Sequence, residues 1–333
     1  MKKIFLRISG GIGNQLFQII NGHNYALKKN YKIFYYLDKN DQYKRIFYLK
    51  NLCQNLDIQE IEPNEVNKLP VVNDIIFFDE NQYFNEQYIK PPYRIEASLQ
   101  NWHFFYSERD FYSQIIKTSI ENKNNKSSFK NSDNLLHIRL KHSFSDNNKK
   151  INKAKPLHPL FSSLMIKSAF QESKSDLKKL NFVSDTKSND PILKDYLNQI
   201  SLNNPEIYFK NISSDNPIYD LIKFYKTKSI LIGSNSTFSW WGIFLNNEAK
   251  CYSPYLGNLE MWLRNIPSTK QFFYPTKKYN HINHSGDSYS KNYSPLHKGF
   301  KIINKCFLIL GNLVPFFKKF IINNQRNSVN SFY

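Results

Sequence analysis

A chain of 333 residues with 41% hydrophobic and 16% aromatic side chains has material for two cored domains and excludes a disordered polypeptide. The formal charge of +19 invites a polyanion, but it sits in a chain crowded with Asn, Ile, Tyr and Phe, with no nucleic-acid-binding signature, so no nucleic-acid partner is expected. Cys53, Cys251 and Cys306 are far apart and in no metal-ligand spacing, which argues against a disulfide framework or structural zinc and for a reducing, cytoplasmic compartment.

The apolar run Ile4-Phe-Leu6 is interrupted by Arg7, too early for a secretory leader, and residues 3–9 read as a strand. Gly10-Gly-Ile-Gly-Asn-Gln-Leu-Phe-Gln18 follows, then a helix to about Lys29 and a second strand, Tyr31–Leu37, ending at Asp38. This order is that of a Rossmann mononucleotide unit, but Leu16 stands where the dinucleotide fingerprint needs its third glycine. The glycine loop therefore reads as a place where a ligand or another domain approaches the backbone closely. Residues 40–95 are broken by Pro63, Pro70, Pro91 and Pro92, with short strands expected at 71–72 and 75–78. An aromatic cluster, Leu99-Gln-Asn-Trp-His-Phe-Phe-Tyr106, precedes a helix led by Glu108.

The polar stretch 121–134 is the expected boundary between an N-terminal Rossmann-like domain, 1–130, and a second, 131–295. Strands at 135–139, 179–183, 206–209, 229–232 and 250–253 alternate with helices at 157–172, 191–200 and 217–227 and after residue 237. That alternation predicts an α/β fold, two parallel sheets covered by helices and facing a cleft. In Gly233-Ser-Asn-Ser-Thr-Phe-Ser-Trp-Trp241, small hydroxyls and an amide lie between a strand and a helix, either as an anion site or as an ordinary N-cap. The tail, 296–333, is basic and partly apolar. It is too short in apolar residues to span a bilayer, and reads either as a peripheral membrane contact or as a terminal helix docked on the first domain.

Four segments in order, Gly10–Gln18, His137-Ile-Arg139, Phe182-Val-Ser-Asp185 and Ser234–Trp241, with the helix Asp220-Leu-Ile-Lys-Phe-Tyr225 before the last, resemble the motifs of the alpha-1,2-fucosyltransferases (glycosyltransferase family 11) over most of residues 1–265. The resemblance implies a two-Rossmann GT-B fold, with the first domain on the acceptor side and the second holding the donor. It also implies an inverting transfer of fucose from GDP-fucose to O2 of galactose, without a metal or other cofactor. A surface polysaccharide or lipopolysaccharide precursor is the implied acceptor, handled in the cytoplasm at or near a membrane face.

On that reading Arg139, with its fork of donors, holds the leaving pyrophosphate, and His137 on the same strand face is either catalytic or a satisfied hydrogen-bonding histidine beside the site. Ser184 and Asp185 receive ribose or guanine, or Asp185 caps the next helix. Asn235, Ser236 and Thr237 donate to phosphates, while Gly11, Gly13, Asn14 and Gln15 face them from the first domain. Family members continue His-x-Arg as Arg-Gly-Asp-Tyr, whereas this chain reads Leu140-Lys141-His142-Ser143. Lys141 then replaces the lost charge and His142 stands where the carboxylate was; His142, Asp146 and Glu108 are the candidate bases. The departure leaves two alternatives: a relative with another GDP-sugar or acceptor, or a non-catalytic sugar-nucleotide or glycan-binding protein.

Overall fold

The structure is a computed structural model. It describes residues 1–37, 46–73, 90–97, 99–100, 102–121, 133–140, 166, 169–170, 179–234, 236–252 and 272–273. The expected features at Lys141, His142, Asp146, Asn235, 75–78, 122–132 and the tail, and all of the helix expected at 157–172 except residues 166, 169 and 170, lie outside these residues.

The first sheet holds five parallel strands: β1 (Lys3–Ile8), β2 (Lys32–Leu37), β3 (Gln59–Glu60), β4 (Val71–Asn73) and β5 (Tyr93–Glu96). Their order is β3-β2-β1-β5-β4. Along β1, Ile4, Leu6 and Ile8 alternate into the core while Phe5 and Arg7 face the other way, the period-2 signature of a strand. Helix α1 (Ile12–Lys29) starts after Gly10, whose φ of +77° makes the tight turn out of β1. It ends at Asn30, in the left-handed conformation that caps helices.

Helix α1 is buried almost all round, polar residues included, and three of these, Gln18, Asn21 and Asn24, donate to carbonyls between residues 97 and 104. Asn21 donates to the carbonyl of Leu99 at 2.5 Å, Asn24 to that of Phe104, and Gln18 to that of Ala97 at 3.3 Å. The short helix α2 (Lys50–Asn55), a 3-10 turn at Trp102–Glu108 and helix α3 (Arg109–Glu121) complete this unit.

The second sheet has six parallel strands: β6 (Asn134–Ile138), β7 (Lys179–Ser184), β8 (Tyr208–Asn211), β9 (Ile230–Ile232), β10 (Lys250–Tyr252) and β11 (Phe272–Phe273). Its order, β8-β7-β6-β9-β10-β11, is the 3-2-1-4-5-6 order of a Rossmann sheet, with the reversal between β6 and β9. Helices α4 (Pro191–Asn203), α5 (Pro217–Tyr225) and α6 (Thr237–Leu245) cover it. Two parallel α/β sheets are thus present, as the strand–helix alternation predicts.

Helix α6 is apolar on every side because it is packed on both. Gly242 lies against Phe224 of α5, where a Cβ would come within 2.4 Å of that ring. Trp240, Trp241 and Phe244 face the first unit, with Phe105 stacked on Trp241 at 5.5 Å and 8° and Phe17 between the two indoles at 4.7 and 5.0 Å. A single buried cluster therefore runs from β1 and α1 through these aromatics to α5 and α6. A second, smaller one fills the far side of the second sheet.

Candidate functional site

The reversal of strand order falls at the carboxyl ends of β6 and β9, the crevice position at which open α/β sheets take their ligands. His137 and Arg139 lie at the end of β6, and Gly233 to Ser236 leave β9. His137 is buried, with Nδ1 at 2.8 Å from the Ser234 hydroxyl and 2.5 Å from that of Ser239. The rings of Phe224 and Phe238 flank it, each 5.3 Å away. Arg139, two residues on, is half-buried at the mouth.

Ser236 is the N-cap of α6, accepting from the Ser239 amide at 3.1 Å, so the capping role weighed for this loop is one it performs. Ser239 in turn accepts from the Ser234 amide at 2.9 Å. These bonds fix the path of the loop around His137. Both tryptophans that follow are buried, so neither indole faces the crevice as a platform.

From the first unit, the start of α1 meets the start of α6. Thr237 Oγ1 donates to Asn14 Oδ1 at 2.7 Å, and Gln100 Nε2 donates to the same oxygen at 3.2 Å. Gly13 is pressed against α6, where a Cβ would lie 2.5 Å from both Phe238 N and Thr237 C. Gln15 is buried and donates to the carbonyls of Gly10 at 2.9 Å and Ile46 at 3.3 Å. Gly11 is the N-cap residue of α1, and its carbonyl accepts from the Asn14 and Gln15 amides. Of the two readings of the glycine loop, close approach of the other unit is the one Gly13 displays. Leu16, where the third glycine of a dinucleotide site would be, is fully buried.

On the other side of β6, the exposed Asp185 accepts from the Leu140 amide at 3.0 Å, tying the turn after Arg139 to the end of β7. Ser184 is half-buried; its amide donates to Ser213 Oγ at 2.9 Å and its hydroxyl accepts from the Thr186 amide at 3.2 Å. Reading the sequence alone missed Ser213, Thr186 and Gln100 as neighbours of the site. Thr186 follows Asp185 directly, whereas the pairing of β7 with β8 brings in Ser213 and the contact with Asn14 brings in Gln100.

No protein-family model matches the chain. No curated protein matches it either. Among solved structures, the chain is similar to a point mutant of Arabidopsis thaliana FUT1 in complex with GDP, at 13% identity and a TM-score of 0.43, covering 80% of this chain and 72% of that one. It is also similar to the fucosyltransferase NodZ from Bradyrhizobium, at 11% identity and 0.40, over 78% and 95% of the two chains. A third likeness is to the E. coli heptosyltransferase WaaC with an ADP-heptose analogue, at 6% identity and 0.35, over 82% and 92%. At this level of similarity they bear on neither donor nor acceptor.

The two helix starts bring partial positive charge to one place, since the first amides of each helix point out of its N-terminus. Arg139 lies on the adjoining strand end, and a guanidinium and free helix-start amides are groups that can hold a phosphate.

No helix among the described residues is long and apolar enough to cross a membrane.

Proposed function

We propose that the chain is an inverting glycosyltransferase that moves L-fucose from GDP-fucose to O2 of a galactose residue in a glycan. The observation that carries this reading is the meeting of the N-termini of α1 and α6 through Asn14 and Thr237, beside Arg139 at the sheet's switch point. In this reading the phosphates of a nucleoside diphosphate lie toward Arg139, Ser236 and Thr237 and its nucleoside along Ser184 and Asp185. As the acceptor hydroxyl attacks the anomeric carbon, the bond from that carbon to the phosphate oxygen breaks and its electron pair stays on GDP. Arg139 and the helix starts offset that charge, which is the term a metal would otherwise supply. Backside attack inverts the anomeric centre, and the hydroxyl proton leaves to a base or to water. The proposal includes a cytoplasmic location, in line with the unpaired, buried thiols of Cys53 and Cys251.

A second reading is favoured by Leu140, which is buried where the resembling family carries a second arginine. Its amide is spent on Asp185, so the first position of that turn supplies no cation and the charge falls to Lys141, one residue further on. This supports a relative that takes a different GDP-sugar, or one that binds without transfer. One experiment separates the three: incubation with GDP-fucose or GDP-mannose and a panel of β-galactosides, with and without EDTA, followed by linkage mapping of the product. Metal-independent formation of a fucosyl-α1,2-galactoside supports the first reading. Turnover of GDP-mannose alone supports the second, and tight GDP binding with no transfer supports a binding protein.

A further inference from the structure

Asp220 is a buried carboxylate one turn inside α5, and it is not the cap of that helix. Asn216 already fills that role, accepting from the Ile218 amide at 2.9 Å. Asp220 instead reaches back over the preceding loop, where its two oxygens accept from the Ser214 amide at 3.0 and 3.2 Å. Lys223 neutralises it at 2.8 Å and uses the same ammonium to hold the carbonyl of Ile212. The pair thus grips residues 212–214 from both sides. Burying an ion pair is costly and gives little net stability against apolar residues of the same volume. Its worth here lies in holding backbone in one place.

The gripped loop leaves the carboxyl end of β8, which adjoins β7, which adjoins β6. Hydrogen bonds stitch the three strand ends into one rim: Leu140 amide to Asp185, Ser184 amide to Ser213, and Ser214 amide to Asp220. Two strand spacings, about 9.5 Å, separate the end of β6 from that of β8. That is the reach of a nucleoside beyond a phosphate held at Arg139. The rim carries Ser213, Ser184, Asp185 and Asp215, hydroxyls and carboxylates suited to ribose hydroxyls and to the N–H groups of a purine edge. Thr186 adds a buried hydroxyl with no hydrogen-bond partner among the described residues.

We propose that Asp220 is a positioning residue for the nucleoside half of the donor. With Lys223 it fixes the 212–214 loop against Ser184 so that the rim accepts base and ribose, while the phosphate half is held independently near Arg139. This rests on the nucleotide-sugar reading above.

The test is calorimetric titration of the full chain with GDP and, separately, with inorganic pyrophosphate. Asp220→Asn keeps the shape but loses the charge, and is expected to weaken GDP ~10-fold or more while leaving pyrophosphate affinity within about twofold. Lys223→Met should shift GDP in the same direction, and it decides the matter if Asp220→Asn does not fold. Tyr225→Phe, which removes a hydrogen bond to Glu121 remote from the rim, should leave both affinities unchanged. Equal GDP affinity in wild type and both variants, or equal weakening of GDP and pyrophosphate, overturns the proposal. If the wild type binds pyrophosphate but not GDP, the rim is no nucleoside site. If it binds neither, the donor reading fails and this inference falls with it.

Discussion

The indole N–H of Trp241 donates to the carbonyl oxygen of Gly13 at 3.0 Å, a buried bond between residues 228 positions apart. It ties α6 of the second unit to the first turn of α1 and so sets where the two helix starts meet. Trp241→Phe removes this hydrogen bond and leaves the space of the larger, fully buried indole unfilled, while the helix's own Phe17 amide still serves the carbonyl. The expected cost is about 1–3 kcal/mol. Scanning calorimetry should show a lowered Tm with a single transition, because one buried cluster spans both units.

Gly13→Ala tests the same joint from the other side. Its Cβ would lie 2.5 Å from the Phe238 amide nitrogen and from the Thr237 carbonyl carbon, backbone atoms that have no rotamer to escape into. Overpacking of this kind costs about 1–3 kcal/mol and moves the helices apart. Loss of the Asn14–Thr237 contact should follow, so donor binding weakens together with Tm. Unchanged melting and donor affinity in Gly13→Ala would contradict the observed packing.

Arg139→Ala should lower transfer ~100-fold or more if the guanidinium offsets charge on departing GDP. Arg139→Lys keeps the charge without the two-pronged fork and should fall between. The assay is initial rate at saturating donor. A rate within twofold of wild type in Arg139→Ala would remove this side chain from the mechanism.

His23, buried on α1 beside the Tyr112 hydroxyl at 3.0 Å, has its pKa lowered by burial from 6.5 to about 4. The folded protein therefore resists the proton that the unfolded chain accepts. Its contribution is intact above about pH 6.5 and is lost as pH falls towards 4, reaching about 3 kcal/mol below that. Urea denaturation at pH 7 and pH 4.5 should show wild type losing about 2–3 kcal/mol across this window. His23→Gln should lose markedly less over the same range, whatever its stability at pH 7.

Much of the second sheet was legible in the sequence because its strands are short apolar runs separated by helices with clear starts, such as Asn216-Pro217 and Ser236-Thr237. The strand expected at 206–209 appears two residues later, at Tyr208–Asn211, since Pro205 and Glu206 complete a turn before pairing begins. The first sheet was harder. Tyr93–Glu96 pairs directly with β1, yet four residues straight after Pro91-Pro92 carry little strand signal of their own. Tertiary pairing, not propensity, makes that strand. Within the site, hydroxyls and amides near Ser234 were visible as a motif, but the partner of Gly13 was not. Nothing in a local window says which helix 220 residues downstream will press on a glycine.

The aromatic stack of Phe17, Phe105, Trp240, Trp241 and Phe244 has a consequence for how the chain is made. Phe17 and Phe105 emerge from synthesis long before the helix that covers them. The first half then carries a sticky, unfinished surface until residue 245 is available, so a ribosome-bound fragment ending near residue 200 should be a chaperone client rather than a folded domain. For the same reason, grafting the second half of a distant relative onto this first half would succeed only if the graft's matching helix brought its own pair of bulky rings.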